Sequence, residues 1–156
     1  MIKERKHRLA LNCYIGKVRC TFTLCVQNKE PLFINEEIVN KFNQILKEEL
    51  KKQLIKNWLY MYMPDHLHLI VEGETEKSNL WKAVVAFKQK TGYLLSKNGY
   101  SIQWQKDFYD HVHRKEEDLK KHIYYILTNP VRKGIVNKWE DYRFKGSFDF
   151  DLYEII

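Results

Sequence analysis

Residues 57–73, NWLYMYMPDHLHLIVEG, read as two strand patterns folded back on one turn, and that reading decides the fold. Before the turn, Trp58, Tyr60 and Tyr62 alternate with Leu59, Met61 and Met63. After it, Leu67, Leu69 and Val71 alternate with His66, His68 and Ile70. Strand side chains point to opposite faces in turn, so each run presents two different surfaces. Pro64 and Asp65 supply the turn, and together the segments predict a β-hairpin. The leucine face belongs in a core. The opposite face carries two imidazoles one residue apart, close enough to hold one metal ion together. Taken alone, the same pattern also suits two solvated histidines on a half-exposed sheet.

Working outward, residues 14–28 are rich in β-branched and aromatic side chains and read as a strand with a break near Gly16. Residues 35–52 place Ile38, Phe42, Ile45, Leu46 and Leu50 at helical spacing behind Asn35 as N-cap. A second helix is predicted over 78–98, with Ser78 as N-cap and Leu80, Val84, Phe87 and Leu94 or Leu95 on one side. Residues 100–104 and 108–114 read as a short strand pair. Residues 115–131 read as a third helix, acidic at its start as the macrodipole favours and stopped by Asn129-Pro130. The tail from Tyr142 matches no clear pattern. This order predicts an α+β fold: a mainly antiparallel sheet with two helices on one face, the other face left open for the histidines.

The 156 residues carry 44% hydrophobic side chains and no linker or repeat, which predicts one domain, 1–156. A formal charge of +7 calls for a polyanionic partner, nucleic acid or an anionic membrane surface. No stretch approaches the roughly 18 apolar residues of a membrane span, and the N-terminus lacks a signal-peptide core, so nucleic acid is favoured. The basic segment Lys3–Arg8 is a plain arm or one that touches nucleic acid. Cys13, Cys20 and Cys25 form no Cys-x-x-Cys pair and read as ordinary thiols of a reducing cytoplasm.

The third helix can be tested for partners to the histidines. At about 100° per residue, Leu119, Ile123, Ile126 and Leu127 gather into one apolar stripe and Tyr125 lies nearly opposite. Asn129 stands about 40° from Tyr125, one turn along, whereas Tyr124 is about 140° from Asn129. Lys121 and His122 flank Tyr125. Tyr125 is therefore a candidate nucleophile and Asn129 an oxygen ligand or orienting group; the bland alternative is a surface tyrosine and a helix C-cap.

The ordered set MPDHLHLIV, IQWQKDFYDHVHR and HIYYILTNPVRKGIV resembles the HUH (His-hydrophobic-His) single-tyrosine transposases, with REP-associated tyrosine transposases the most similar branch. TFTLCVQNKEPLF is similar to that family's first strand, and the likeness spans roughly residues 18–140. The resemblance implies an RRM-like HUH domain, metal ligands His66, His68 and Asn129, and the catalytic nucleophile Tyr125. It also implies a DNA transposase that cuts and rejoins single strands through a 5′-phosphotyrosine at hairpin-bearing element ends. Two imidazoles and an amide oxygen leave positions open for phosphate and water, which suits Mg²⁺ or Mn²⁺, the histidines favouring Mn²⁺. Lys121, His122, Arg132, Lys133 and Arg114 are candidate DNA contacts, with Trp104 a candidate stacking surface. The expected partner is single-stranded or hairpin DNA, a homodimer is compatible with the chemistry, and the expected location is the cytoplasm, with the nucleoid. The second His-x-His, His111 and His113, reads as a DNA contact or as structural. The competing function is a non-catalytic RRM-like module that binds single strands or hairpins.

Overall fold

In the computed structural model, which describes residues 10–115 and 117–156, the elements run β1 (Arg19–Cys25), α1 (Glu36–Lys52), β2 (Ile55–Met63), β3 (His66–Gly73), α2 (Leu80–Lys97) and β4 (Tyr109–Val112). They continue α3 (Leu119–Leu127), α4 (Asn129–Arg132), β5 (Lys145–Gly146) and α5 (Leu152–Ile155). The segment Lys3–Arg8 lies outside the described residues. The strands form one antiparallel sheet in the order β4-β1-β3-β2-β5. With α1 and α2 as the crossovers, this is the β-α-β-β-α-β ferredoxin-like arrangement, extended by one edge strand. The expected hairpin is present: β2 and β3 pair from Ile55–Gly73 to Met63–His66.

Residues directly opposite in an antiparallel pair project to the same face. Phe22 opposite Leu69 and Leu24 opposite Leu67 therefore share the face that buries Phe42 and Leu46 of α1 with Val84 and Phe87 of α2. Thr23, His68 and Met61 share the other face, as do Leu59 and Ile70. That face is not open, as the sequence suggested. α3 packs against β2 there, and its Ile123 and Leu127 are buried, as are Leu59, Met61 and Ile70. The end carrying the histidines remains half-accessible, as does the opposite end at Arg19, Thr21 and Glu72.

Local chemistry explains most boundaries. The Asn35 side chain accepts from the Glu37 amide and starts α1 as read. α2 instead begins on Asn79, whose Oδ1 accepts from the Lys82 amide at 3.0 Å. Ser78 is buried and its hydroxyl donates to the Leu54 carbonyl at 2.7 Å, so it cannot cap the helix. The strand pair expected at 100–114 is only half present. β4 joins β1 at the sheet edge, whereas Trp104 makes a single bridge to Val26. Its indole is drawn into the core against Phe33, Phe42 and Phe87, where Nε1 donates to Thr91 Oγ1 at 2.7 Å.

The tail that defied assignment closes the far edge of the sheet. Trp58 sits at a register shift between Asn57 and Leu59. There Asn57 Oδ1 accepts from the Phe148 amide, the Asn57 amide donates to Asp149, and the Ser147 hydroxyl donates to the Asn57 carbonyl. Phe150 stacks on Trp58 with centroids 4.0 Å apart, and Phe148 on Tyr60. Among the described residues, no helix is long and apolar enough to cross a membrane.

Candidate active site

The Nε2 atoms of His66 and His68 face each other at 3.0 Å on the half-covered face of β3. Their far nitrogens are both held. His66 Nδ1 donates to the Asp65 carboxylate at 2.6 Å, which leaves Nε2 with its lone pair. His68 Nδ1 meets the Thr23 hydroxyl at 3.2 Å. With Thr23 accepting, two lone pairs converge on one point, an arrangement that needs a cation or a proton between them. Burial, then the neighbouring His66 and Arg132, push the His68 pKa down to about 3. His68 is thus a neutral imidazole, and two such rings with their Nε2 atoms together are a donor set that suits a divalent cation.

Asn129 reaches the same point from the opposite layer, its carboxamide nitrogen 3.5 Å from His68 Nε2. Rotating the amide presents its oxygen instead. Asn129 is held there by the junction of α3 and α4. α3 ends at Thr128, whose αR backbone lets Asn129-Pro130 begin a new short helix, where a proline is tolerated in the first turn. α3 thus ends just before Asn129-Pro130, and the pair opens a separate short helix.

Tyr125 stands on the exposed side of α3, at 67% exposure against 54% for Tyr124. Among the described residues no hydrogen bond joins its hydroxyl to the histidine pair. What meets it is Arg132: the guanidinium lies 4.1 Å from the ring centroid, and Nη2 donates to the Tyr125 carbonyl at 2.8 Å. Arg132 also donates to the Thr128 hydroxyl. Arg132 therefore spans α3 and α4, between the tyrosine and the histidines. Sequence reasoning saw it as a DNA contact and missed this bracing; the i+7 spacing from Tyr125 was the available signal.

Of the other predicted residues, Lys133 joins Thr23, Lys29, Gln105 and Tyr109 in walling a cleft beside His66. Lys29 was missed; both it and Asn28 take left-handed backbone angles, which turn the chain after β1 into that cleft. Lys121 and Lys120 line a shallow depression with Tyr125. Arg114 is exposed. His122 turns to Glu117, at 3.0 Å. Trp104 is corrected outright: at 8% exposure its ring is part of the core and offers no face to a base.

Comparison with known proteins bears on the family and the fold. A family model described as "Transposase IS200 like" matches residues 15–129. A REP-associated tyrosine transposase of Escherichia coli (strain K12) is 28% identical over 126 residues, covering 79% of this chain and 72% of that protein. A relative from Haemophilus influenzae bearing the same family name is 27% identical over 142 residues, covering 84% of this chain and 80% of its own. Among solved structures, a REP-associated tyrosine transposase bound to a REP hairpin superposes with a TM-score of 0.72 at 20% identity. That match covers 93% of this chain and 82% of the other, and it establishes a shared fold.

Proposed function

The chain belongs to the IS200-like transposase family and is a tyrosine transposase, and from that premise we propose that it cuts and rejoins single DNA strands at hairpin-bearing ends. Tyr125 is the nucleophile in this reading. Its phenol oxygen attacks the scissile phosphorus, forming an O–P bond, while the P–O3′ bond breaks. The phenol proton leaves to solvent, which reaches this exposed side chain, and the departing 3′ oxygen takes up a proton to become a free hydroxyl. The 5′ phosphate stays on the tyrosine as an ester, so a second 3′ hydroxyl can reverse the step and join strands without ATP.

A divalent cation held by His66, His68 and Asn129 would polarise the scissile phosphate and steady the charge that develops on it. Asp65 and Thr23 orient the two imidazoles toward that point. Arg132 fixes the Tyr125 backbone and offers a fork of donors to a phosphate. Lys29 and Lys133 set positive charge along the cleft beside His66, where the strand leading to the cut would run. The related structure solved with a REP hairpin supports a hairpin as the DNA form.

The observation that carries this reading is the convergence of two imidazoles from β3 and a carboxamide from the Tyr125-bearing helical layer. The test is incubation of labelled hairpins with single-stranded flanks and Mn²⁺, followed by a denaturing gel. A protein–DNA adduct that requires Tyr125 and metal is expected. Binding without any adduct would instead assign the chain as a hairpin-binding module, and cleavage without an adduct would point to attack by water.

A further inference from the structure

The second His-x-His belongs to a cluster that the reaction above does not use. His111 on β4 and His122 on α3 both direct Nε2 at one oxygen of Glu117, at 2.7 and 3.0 Å. These three ligand atoms lie within 4.8 Å of one another. We propose that His111, Glu117 and His122 form a second metal site, taking Zn²⁺ or a similar borderline divalent cation and leaving one position open to water.

The donor set is the first argument. Two neutral imidazoles and one carboxylate form the three-ligand, open-position arrangement that zinc accepts. Tetrahedral bonds of about 2.0–2.1 Å space ligand atoms by roughly 3.3 Å, so the two contacts to Glu117 would open by about 0.3–0.6 Å. Glu117 is held in place by its own loop: Oε1 accepts from the Arg114 amide at 3.0 Å, which leaves Oε2 to the two histidines.

His113 is the second argument. Its Nδ1 accepts from Arg19 Nε at 2.9 Å, which leaves Nε2 as the N–H that donates to Thr21 Oγ1 at 2.6 Å. Both of its nitrogens are thus committed, so His113 supports the cluster without joining it. His113 packs 4.5 Å from the His122 ring and 5.4 Å from His111. A divalent ion would draw His111, Glu117 and His122 together and leave His113 on Arg19 and Thr21. It would also tie the sheet edge to the helix that carries Tyr125.

The site stands independently of the transposition reading, and zinc counting keeps the two apart. The full chain, stripped with chelator, is dialysed against Zn²⁺ alone and its bound metal measured. A His66→Ala/His68→Ala variant should still hold one zinc, and a His111→Ala/His122→Ala variant should lose that zinc with at least 100-fold weaker binding. Glu117→Gln, which alters only the carboxylate, should give the same loss if the double-alanine variant proves unfolded by circular dichroism. Zinc should also slow amide exchange in the first turn of α3 in the His66/His68 variant. A His66/His68 variant that holds no zinc, or a His111/His122 variant that binds as the parent does, overturns the proposal.

Discussion

The Arg132 guanidinium lies 4.1 Å from the centre of the Tyr125 ring and donates to the Tyr125 carbonyl, so the proposed nucleophile and its neighbour across the α3–α4 junction form one unit. Hydrogen bonds from charged donors are worth about 1.5–3 kcal/mol, and the ring contact adds about 0.5–1 kcal/mol at an exposed site. Arg132→Ala should therefore slow adduct formation on the order of 30- to 1000-fold, with Mn²⁺ affinity little changed. Arg132→Lys, which keeps the charge and loses the fork, should recover only part of the rate. Single-turnover adduct assays decide the matter; a parent-like rate in Arg132→Ala would remove the residue from the site.

Tyr125→Phe should abolish the covalent adduct and leave hairpin binding within about twofold, because only a hydroxyl is lost. Tyr124→Phe should keep most activity, since it faces away from Asn129. The reverse pattern would transfer the nucleophile's role to Tyr124.

The holders of the histidines make a separate test. Asp65→Asn and Thr23→Val leave both Nε2 atoms in place but release the rings that present them. Loss of such outer partners typically costs 10- to 100-fold in metal affinity. Calorimetric titration with Mn²⁺ should show that weakening in each variant, while His66→Ala or His68→Ala should weaken it further. Equal affinity in all of these proteins would sink the metal assignment.

Gly73 closes β3 where the chain passes against the Gly16 carbonyl. A Cβ there would run into that backbone oxygen and into Ser78. Backbone cannot swing aside as a flexible side chain can, so Gly73→Ala should destabilise the fold by about 1–3 kcal/mol. The check is a melting curve beside that of Gly99→Ala. An added Cβ at Gly99 meets nothing within 4 Å, although its φ of +79° adds a smaller strain.

At high pH the Tyr142 phenol sets a limit. Burial pushes its pKa up to about 12, and its hydroxyl donates to the Tyr62 carbonyl. The unfolded chain would ionise near 10, so the folded state holds the extra proton between these values. The contribution is complete below about pH 10 and fades as pH rises through 12. Tyr142→Phe should flatten this part of the alkaline stability slope in urea titrations. An unchanged slope would show that the phenol ionises equally in both states.

The hairpin, the two long helices and the histidine pair were legible in the sequence because each rests on local periodicity. Alternation about Pro64-Asp65 and the 3.6-residue spacing of Ile38 to Leu50 need no knowledge of the rest of the chain. The helix-wheel angle linking Tyr125 to Asn129 was equally local, although the break at Thr128 puts Asn129 in a new short helix. What tertiary structure decided was contact between distant segments. Whether the histidine face lay open depended on where α3 landed, and α3 covers Leu59, Met61 and Ile70. Trp104 became core because Phe42 of α1, Phe87 of α2 and Phe33 from the loop before α1 converge on it. The tail gained its structure from hydrogen bonds to Asn57, some ninety residues earlier. Likewise, no spacing rule could join His111 to His122 through Glu117, since strand, loop and helix meet there only after folding.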